Sequence, residues 1–420
     1  MNYRIPRGTY DILPKDSAKW QYVQNVFRRV AQRFGYLEIV TPIFEMAELF
    51  ERSSGENSDV VQKEMYRFTD QKGRNFALRP EGTAPVVRSY IENHLDRLGG
   101  KSKLYYFGPM FRYDRPQAGR YRQFYQYGIE FIGSNHPYFD AEVIAIELAY
   151  LEELGLKDFR LEINSVGCEK CSRTYDEALR KYYQPHLAEL CPDCQKRFES
   201  KPRRLLDCKV PSCKAFRKDA PSQLNYLDQE CKDHFDQVQK YLDQMDIAYT
   251  INPAIVRGLD YYTNTAFELI VDALGAQNSI AGGGRYNALI SQIGGKDTPA
   301  IGFAGGFERL LLAMEKEEIE FPQYAPPDVY VIGMGAATTD MALSCLKEMR
   351  KHGLYAEYNP DKSSFKAQMK AADASQAYYA LIIGADELAA DMPTLKNLRT
   401  SEQKQYSRPE LSHVIAQRLL

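Results

Sequence analysis

The pattern of apolar positions near the start of the chain predicts a helix followed by a strand. Residues 17–34 place apolar side chains at the three- and four-residue spacing of a buried helix face, at Trp20, Val23, Phe27, Val30, Ala31 and Phe34. The segment at residues 37–40, Leu-Glu-Ile-Val, is typical of a short strand and is closed by Thr41 and Pro42. We expect this helix and strand to form part of a hydrophobic core.

A change of period further along predicts an antiparallel hairpin with two different faces. The aromatic segments 104–111 and 121–133 are separated by a polar loop, residues 114–120, that contains Pro116 and Gly119. Successive strand residues point to opposite faces. One face of the second segment therefore carries Tyr125, Tyr127, Ile129 and Phe131, and the other carries Arg122, Gln126, Gly128 and Glu130.

The polar face of this hairpin has two interpretations. A solvated sheet surface is the simpler one. However, Gln126 and Glu130 present two planar hydrogen-bonding groups around Gly128, which lacks a side chain that would block approach from above. We therefore expect a ligand site with an open floor above Gly128.

The remaining pattern predicts two domains, with the first one interrupted. Residues 168–240 are charged, rich in cysteine and helical by pattern, which indicates an insertion. A strand pattern returns at 265–271, and a strand-to-helix pattern follows at 300–314. A proline-containing linker at 315–328 is followed by alternating strands and helices at 329–332, 339–352, 355–358, 365–374 and 379–383. We expect a first domain at residues 1–325 and a small α/β domain at 326–420.

Composition and charge narrow the class of protein only slightly. With 420 residues, 44% hydrophobic and 26% charged, the chain fits a globular protein of more than one domain. A net charge of -2 means that any nucleic-acid contact must come from local basic clusters. We find neither a signal peptide nor a run of about 18 apolar residues. We therefore expect a cytoplasmic location and no membrane contact.

Seven of the eight cysteines lie between Cys168 and Cys231. Four of them form two CxxC pairs that are separated by 19 residues, a spacing typical of tetrahedral zinc sites. The sequence predicts structural Zn²⁺ held by four of six candidates, namely Cys168, Cys171, Cys191, Cys194, Cys208 and Cys213. Reduced thiols without metal are the open alternative, and spacing alone does not choose the four.

Several segments resemble motifs of class II aminoacyl-tRNA synthetases. Phe111-Arg112, the loop and Arg122-Gln123-Phe124 resemble motif 2, residues 300–310 resemble motif 3, and the helix before Thr41-Pro42 resembles motif 1, the dimer element. Residues 256–263 are similar to the signature peptide of histidyl-tRNA synthetases, and residues 79–83 are similar to their amino-acid-binding turn. The resemblance runs from residue 7 to the C-terminal domain, and it is to the bacterial type of this family.

The resemblance implies a fold class and a set of partners. It implies an α+β catalytic domain on a mixed, mainly antiparallel sheet, with a helical insertion and a C-terminal α/β anticodon-binding domain. The implied activity is an aminoacyl-tRNA ligase that activates L-histidine with ATP and Mg²⁺ and transfers it to tRNA(His). A homodimer is also implied.

The resemblance assigns the phosphate contacts to arginines. Adenylate formation builds charge on phosphate oxygens, which fixed guanidinium groups can neutralise by two-point binding. Arg112, Arg257 and Arg309 are the implied catalytic residues, and Arg112, Arg120 and Arg309 are the implied ATP contacts. Arg115, Arg120 and Arg122 are implied to hold the tRNA end, and Gly282-Gly283-Gly284 indicates a close backbone approach, interpreted as lying beside adenosine.

The resemblance also implies the residues of the histidine pocket. Glu81, Thr83 and Gln126 are the implied contacts of the α-ammonium group, while Glu130 and Tyr262 pair with the two imidazole nitrogens and fix the tautomer. The whole implied histidine-binding set is Glu81, Gly82, Thr83, Arg112, Gln126, Glu130, Arg257, Tyr261, Tyr262 and Tyr286. Packing of the tyrosines in the core is the alternative for those residues.

Two rival functions remain open at this point. A non-catalytic regulatory subunit of histidine biosynthesis shares the catalytic fold, but it generally lacks the signature peptide and the C-terminal domain. A synthetase for proline, threonine or glycine shares the C-terminal architecture. ATP–pyrophosphate exchange with each amino acid discriminates among the three.

Overall fold

The computed structural model describes residues 3–55, 58, 60–97, 99–117, 119–206, 208, 210–255, 261–362 and 364–419. The chain divides into two compact units, Met1–Pro322 and Gln323–Leu420. Among the described residues, no helix is both long enough and apolar enough to cross a membrane.

The first unit contains eleven strands in its described residues. They are Leu37–Glu38 (β1), Phe44–Met46 (β2), Arg67–Thr69 (β3), Asn75–Leu78 (β4), Ser102–Phe111 (β5), Gln123–Ile132 (β6), Arg160–Ser165 (β7), Thr250–Ile251 (β8), Thr263–Ile270 (β9), Ser279–Arg285 (β10) and Ala300–Gly306 (β11).

The α-helices of the first unit cover the sheet and form the insertion. They are Pro14–Arg33 (α1), Ala47–Ser54 (α2), Thr83–Glu92 (α3), Tyr138–Glu153 (α4), Glu169–Tyr183 (α5), Pro192–Ser200 (α6), Pro211–Ala215 (α7), Gln229–Gln244 (α8), Leu289–Gln292 (α9) and Phe307–Lys316 (α10). Helix α1 begins three residues before the expected start, because Pro14 fits the first helical turn, where no backbone donor is needed.

Eight of these strands form one sheet in the order β1-β5-β6-β11-β10-β9-β7-β8. The pairs at the two edges, β1 with β5 and β7 with β8, are parallel, and the pairs between them are antiparallel. The expected mixed, mainly antiparallel sheet is therefore confirmed. Strands β2, β4 and β3 form a separate small sheet.

One face of the large sheet carries the main hydrophobic core. Tyr127, Ile129 and Phe131 of β6 are fully buried there, as the alternation of the hairpin predicts. Helices α1, α4, α8 and α10 contribute Phe27, Ile144, Val238 and Leu310, among others, to the same cluster. Burial of this apolar area is the main stabilising contribution to the unit.

The opposite face of the sheet carries small residues at its centre. Strand register sets Gly302 beside both Glu130 and Gly284, and it sets Ala304 beside both Gly128 and Gly282. Because glycine and alanine leave space above a sheet, the centre of this face is concave. The polar side chains of β6 therefore border an open volume.

The insertion between β7 and β8 has a small core of its own. Tyr175, Leu179 and Tyr183 of α5 pack with Phe198 of α6, with Leu205 and Leu206, and with the buried Cys194 and Cys213. Helix α8 closes the insertion and returns the chain to the large sheet.

The second unit is an α/β layer structure. Its strands are Val329–Gly333 (β12), Ala356–Tyr358 (β13), Tyr379–Ile383 (β14), Thr394–Asn397 (β15) and Gln403–Gln405 (β16), in the order β13-β12-β14-β15-β16. Its helices are Thr339–Lys351 (α11), Phe365–Ala374 (α12), Ala385–Ala390 (α13) and Arg408–Leu419 (α14). The expected strand-helix alternation is present, and the antiparallel strands β15 and β16 extend it.

Candidate active site

A cleft of about 440 Å³ lies over the small-residue face of the large sheet. Its walls combine carboxylates, guanidinium groups and tyrosine rings with backbone left open by small residues. Its lining includes Glu81, Thr83, Arg112, Arg120, Gln126, Tyr261, Tyr262, Glu268, Gly282, Tyr286, Gly302, Ala304 and Arg309. Most of the residues that the sequence analysis assigned to a site therefore meet in one volume.

Glu130 is a fully buried carboxyl group at the floor beside this cleft. Burial raises its pKa to about 8. Its Oε2 accepts a hydrogen bond from the Tyr286 hydroxyl, whereas Oε1 accepts none from the described residues. A buried acceptor without a partner costs free energy, so its retention favours a polar ligand at this position.

Tyrosine rings surround this carboxyl group. The rings of Tyr261 and Tyr262 lie 4.9 Å apart, centroid to centroid, and Tyr261 meets Tyr286 at 5.8 Å in an edge arrangement. Burial raises the pKa of both Tyr261 and Tyr286 well above the usual value, so their hydroxyl groups stay protonated and can donate. Both rings also belong to a small hydrophobic cluster with residues of α3 and α9. The two tyrosines therefore pack in a core and line the cleft at the same time.

The space above Gly128 differs from the expectation of an open floor. Tyr106 of β5 is the direct cross-strand neighbour of Gly128, and its ring fills the position where a Cβ of Gly128 would lie. The same ring abuts the position of a Cβ at Gly82. The expectation of open space above Gly128 is therefore wrong, because the Tyr106 ring occupies that space.

Glu81 lines the cleft, and its side chain also hydrogen-bonds to the start of α3. Its carboxylate accepts hydrogen bonds from the backbone N–H of Thr83 at 2.6 Å and of Ala84 at 3.0 Å. Burial raises its pKa, and these N–H groups oppose that shift. The arrangement satisfies free donors of the helix N-terminus and holds the Glu81 side chain rigidly at the cleft wall.

Three arginines line the other end of the cleft. Arg112 Nε donates to Pro80 O at 2.9 Å, and Arg309 Nη1 donates to Ser279 O at 2.9 Å. Arg120 forms an ion pair with Asp114. Burial, followed by the charges of Arg120 and Arg112, lowers the pKa of Arg309. Three cations held this close repel one another, so an anion between them would be strongly stabilised.

Glu308, next to Arg309 in the chain, ties α10 to the sheet and to the N-terminal segment. Its carboxylate accepts from the Tyr10 hydroxyl at 2.6 Å and from the Tyr125 N–H at 2.9 Å. Burial raises its pKa to about 7. These bonds fix the first turn of α10 and with it the position of Arg309.

Not every expected site residue is at the cleft or within the described part of the chain. Arg257 lies outside the described residues. Arg122 stacks its guanidinium group 4.0 Å from the centroid of the Tyr113 ring, and its Nε donates to Asp114 O at 3.3 Å. Arg115 is on the hairpin loop, where its N–H donates to Asp114 Oδ1 at 2.7 Å.

Sequence reasoning missed two residues of this site. Tyr106 covers Gly128, and a signal for it exists, because alternation along β5 puts Leu104, Tyr106 and Met110 on one face. Glu268 of β9 lines the cleft opposite Gly282. Its charge, in a strand whose other residues are all uncharged, is the signal that could have found it.

The cysteines of the insertion form two separate groups of metal-ligating side chains. One group is Cys191, Cys194, Cys208 and Cys213, and the other is Cys168, Cys171, Asp228 and Cys231. In each group the four ligand atoms lie within 4.8 Å of one another. The expected set of six therefore divides into four and two, and Asp228 and Cys231 complete the second group.

Comparison with known proteins identifies relatives of both units. A family model of histidyl-tRNA synthetases matches residues 8–310, and a model of anticodon-binding domains matches residues 328–418. The chain is 48% identical to a histidine–tRNA ligase of Desulforamulus reducens, with 97% of each chain covered. It is 46% identical to a histidine–tRNA ligase of Bacillus subtilis, with 99% of each chain covered.

A solved structure extends this similarity to the fold. The apo histidyl-tRNA synthetase of S. aureus superposes with a TM-score of 0.84 at 40% sequence identity, over 99% of this chain and 100% of that one.

Proposed function

The chain belongs to the histidyl-tRNA synthetase family and is therefore an enzyme that joins histidine to tRNA, and we propose that the cleft over the large sheet is where the reaction takes place. The observation that carries this proposal is that one cleft is lined by Arg112, Arg120 and Arg309 and also by Tyr286, whose hydroxyl donates to the fully buried Glu130. The chain covers nearly the whole length of relatives that are named histidine–tRNA ligases, so the alternative of a regulatory subunit is rejected.

We assign recognition of the histidine side chain to Glu130 and the tyrosines around it. Glu130 Oε1 is the buried acceptor without a partner among the described residues, and an imidazole N–H would satisfy it. Tyr286 already donates to the other oxygen and so fixes the plane of the carboxyl group. Tyr262 contacts the second imidazole nitrogen, and Tyr261 closes the wall. A site with such buried polar groups rejects side chains that cannot pair with them.

We assign the α-ammonium group of histidine to Glu81, Thr83 and Gln126. All three line the cleft beside the tyrosines, and Gln126 Oε1 accepts no hydrogen bond from the described residues. Gly82, between Glu81 and Thr83, belongs to the same proposed histidine-binding set, and its lack of a side chain leaves room for the Tyr106 ring beside this turn. The substrate carboxylate then points toward the arginine end of the cleft.

The first reaction step is a displacement at the α-phosphorus of ATP. A carboxylate oxygen of histidine forms the new bond, and pyrophosphate leaves with the electron pair of the broken bond. Arg112 holds the α-phosphate, and Arg309 and Arg120 hold the leaving group, because their charges converge there. Arg257, carried over from the family, neutralises the α-phosphate in the transition state.

A carboxylate on the cleft wall fits a cation that accompanies ATP. Mg²⁺ prefers oxygen ligands and would neutralise part of the phosphate charge. Glu268 lines the cleft, and its charge acts on Arg309. We propose that Glu268 would hold Mg²⁺ there. Gly282, opposite it on β10, allows the adenosine to approach the backbone.

In the second step, a ribose hydroxyl of the tRNA end attacks the activated carbonyl carbon, AMP leaves with the electron pair of the broken carbon–oxygen bond, and the hydroxyl proton is released. We propose that Arg115, Arg120 and Arg122 on the hairpin loop hold the single-stranded acceptor end through its phosphates. The second unit, matched by the anticodon-binding model, binds the other end of tRNA(His). We keep the domain boundary at residues 325 and 326, and the insertion at about 168–240.

We further propose a homodimer that works in the cytoplasm, where charged tRNA is consumed by translation. Apolar side chains cluster at the edge of the first unit around β1 and β2: Leu37 is 70% exposed, Val40 is 80% exposed, and Ile43, Phe44 and Met46 are also exposed. An exposed apolar patch of this kind is typical of a protein interface, and a second copy with the same patch would cover it symmetrically.

One structural Zn²⁺ belongs to the proposal as well. Cys191 and Cys194 begin α6, and Cys208 and Cys213 face them across the core of the insertion. Cys191 N donates to Cys213 Sγ at 3.1 Å, and Cys191 Sγ lies 3.8 Å from Cys208 Sγ. Four thiolates at this separation match a tetrahedral zinc site.

The experiment that tests the proposal is ATP–pyrophosphate exchange with each of the twenty amino acids. We expect exchange with histidine at least about 10³-fold above any other amino acid. Exchange with a different amino acid would mean that the residues around Glu130 select another side chain. Absence of all exchange would remove the cleft as the site of adenylate formation.

A further inference from the structure

A second group of metal-ligating side chains lies where the insertion joins the large sheet. Cys168 and Cys171 are at the start of α5, and Asp228 and Cys231 are at the start of α8. Their four ligand atoms lie within 4.8 Å of one another. We call this group the junction site.

The local structure explains why these four residues meet. Cys168 and Asp228 are the N-cap residues of α5 and α8, and Cys171 and Cys231 follow each cap by three positions. Residues three apart lie on the same face of a helix. Each helix start therefore offers two ligands on one face, and the two starts face each other.

The distances fit a tetrahedral ion and exclude a disulfide bond. A zinc ion about 2.3 Å from each sulfur holds two sulfurs about 3.8 Å apart. Cys168 Sγ lies 3.6 Å from Cys171 Sγ and 3.3 Å from Asp228 Oδ2. A disulfide requires about 2.05 Å between sulfurs.

The hydrogen bonds around the junction site leave the right atoms turned toward its centre. Asp228 Oδ1 caps α8 by accepting from Cys231 N at 2.9 Å, which leaves Oδ2 directed at Cys168. Asp228 N donates to Cys171 Sγ at 3.1 Å. A backbone N–H directed at a sulfur stabilises the thiolate form that binds metals.

The chemistry of the four ligands selects the class of metal. Cys171 and Cys231 are buried, so the centre of the site is largely screened from water. Three soft sulfurs and one carboxylate disfavour Mg²⁺ and Ca²⁺, which prefer oxygen, and suit Zn²⁺ in four-coordinate geometry. We propose that the junction site binds a second structural Zn²⁺, separate from the ion of the four-cysteine group.

This ion would fasten the insertion to the strand that carries part of the cleft. Cys231 Sγ lies 3.3 Å from the side-chain amide of Asn264. Asn264 O accepts from Val166 N at 2.7 Å, and Asn264 N donates to Gly167 O at 2.9 Å. Tyr262, a wall of the cleft, is two residues before Asn264. The metal thus holds both ends of the insertion and the base of β9 in one arrangement.

The test is the metal content of the full-length chain after dialysis, measured by mass spectrometry. We expect two zinc ions per wild-type chain. Cys231→Ser removes one ion through the junction site, and Cys194→Ser removes the other through the four-cysteine group. Cys345→Ser is the matched control, because Cys345 is a buried cysteine of the second unit outside both groups, and it leaves two ions in place.

The variant Asp228→Ser removes the metal-binding carboxylate of the junction site while keeping a cap on helix α8. Serine still caps a helix N-terminus but offers no carboxylate. We expect this variant to release one of its two ions at a chelator concentration at least tenfold lower than the wild type requires, with the second ion unaffected. Release of both ions at the wild-type concentration would overturn the role of Asp228.

Cobalt titration of the metal-stripped wild type gives a measurement that needs no variant. Thiolate-to-cobalt charge-transfer absorption should rise until two equivalents are bound. Saturation at one equivalent, or one zinc per wild-type chain that is lost in Cys194→Ser and kept in Cys231→Ser, would overturn the junction site. One zinc that is lost in Cys231→Ser alone would support the junction site and reject the four-cysteine site.

Discussion

Two buried glutamates on opposite sides of the large sheet are almost identical by local measures. Glu130 lies on the cleft side, and Glu147 of α4 lies on the core side, and both are fully buried. Burial raises the pKa of each to about 8. Each accepts a hydrogen bond from one tyrosine, Tyr286 for Glu130 and Tyr127 for Glu147, and each keeps one oxygen without a partner among the described residues.

What separates the two glutamates is their surroundings. Glu147 is enclosed by the core: its partner Tyr127 packs edge-on against Tyr150 and Phe27. Glu130 is the cross-strand neighbour of Gly302, which lines the cleft. A raised pKa therefore marks a buried acid, and only the open volume beside Glu130 marks a binding site. Substituting a residue on the cleft side should mainly affect catalysis, whereas substituting its counterpart on the core side should mainly affect stability.

The largest expected effect is on the cleft side, at Arg309. Arg309→Met keeps the length of the side chain and removes the charge that holds the leaving pyrophosphate. We expect adenylate formation to slow by about 10³-fold, or about 4 kcal/mol, with a much smaller change in the free energy of unfolding. Single-turnover adenylate formation and urea unfolding measure the two quantities. A loss confined to stability would return Arg309 to a structural role.

The corresponding arginine toward the core side is Arg285. It is fully buried and forms an ion pair with Asp140 of α4, with Arg285 Nε 2.9 Å from Asp140 Oδ2. Arg285→Met leaves the buried Asp140 carboxylate without its arginine partner, with His234 Nε2 still 3.3 Å from Asp140 Oδ1. We expect the free energy of unfolding to fall by about 3 kcal/mol. Urea unfolding at pH 7 checks this, and an unchanged midpoint would mean that the pair contributes nothing net.

A smaller effect is expected for the isosteric pair Glu130→Gln and Glu147→Gln. A glutamine at position 130 can still accept from Tyr286, but its amide NH₂ cannot accept from an imidazole N–H. We expect kcat/KM for histidine to fall about 100-fold, or about 2.7 kcal/mol. Glu147→Gln should change it less than about threefold. Equal losses in both variants would break the distinction between the two sides.

The smallest effect is a change in the pH dependence of stability in Glu147→Gln. The folded protein holds the Glu147 proton up to a pKa of about 8, whereas the unfolded chain releases it near 4.5. Between these values the folded state binds more protons, so the free energy of unfolding falls as pH rises. In the variant, the difference in bound protons between the folded and unfolded states should be smaller by about one, so its free energy of unfolding should depend less on pH over this range. Urea unfolding from pH 5 to pH 8 measures it, and an unchanged slope would contradict the raised pKa.

The sequence was sufficient for the hairpin and most of the cleft because alternation and motif order are local. Tyr127 and Ile129 are in the core, and Gln126 is at the cleft, as that alternation predicts. The role of Gly128 was misread because the ring that covers it belongs to Tyr106, and only strand register makes the two residues neighbours.

The grouping of the cysteines depends on tertiary structure even more strongly. Cys168 and Cys171 meet Asp228 and Cys231 although Asp228 lies 57 positions after Cys171 along the chain. The spacing within a CxxC pair indicates that its two ligands lie on one helix turn. It does not indicate which other helix turn lies opposite them. That information arises only when α5 and α8 pack at the sheet.

The central claim is that Glu130, and not its counterpart Glu147, binds the imidazole ring of the substrate. A crystal structure of the full-length enzyme with bound histidine tests it most directly. The account predicts an imidazole nitrogen within about 3.2 Å of Glu130 Oε1, with the Tyr286 hydrogen bond retained on Oε2. An imidazole ring bound elsewhere in the cleft, with Glu130 Oε1 still unpaired, would contradict it.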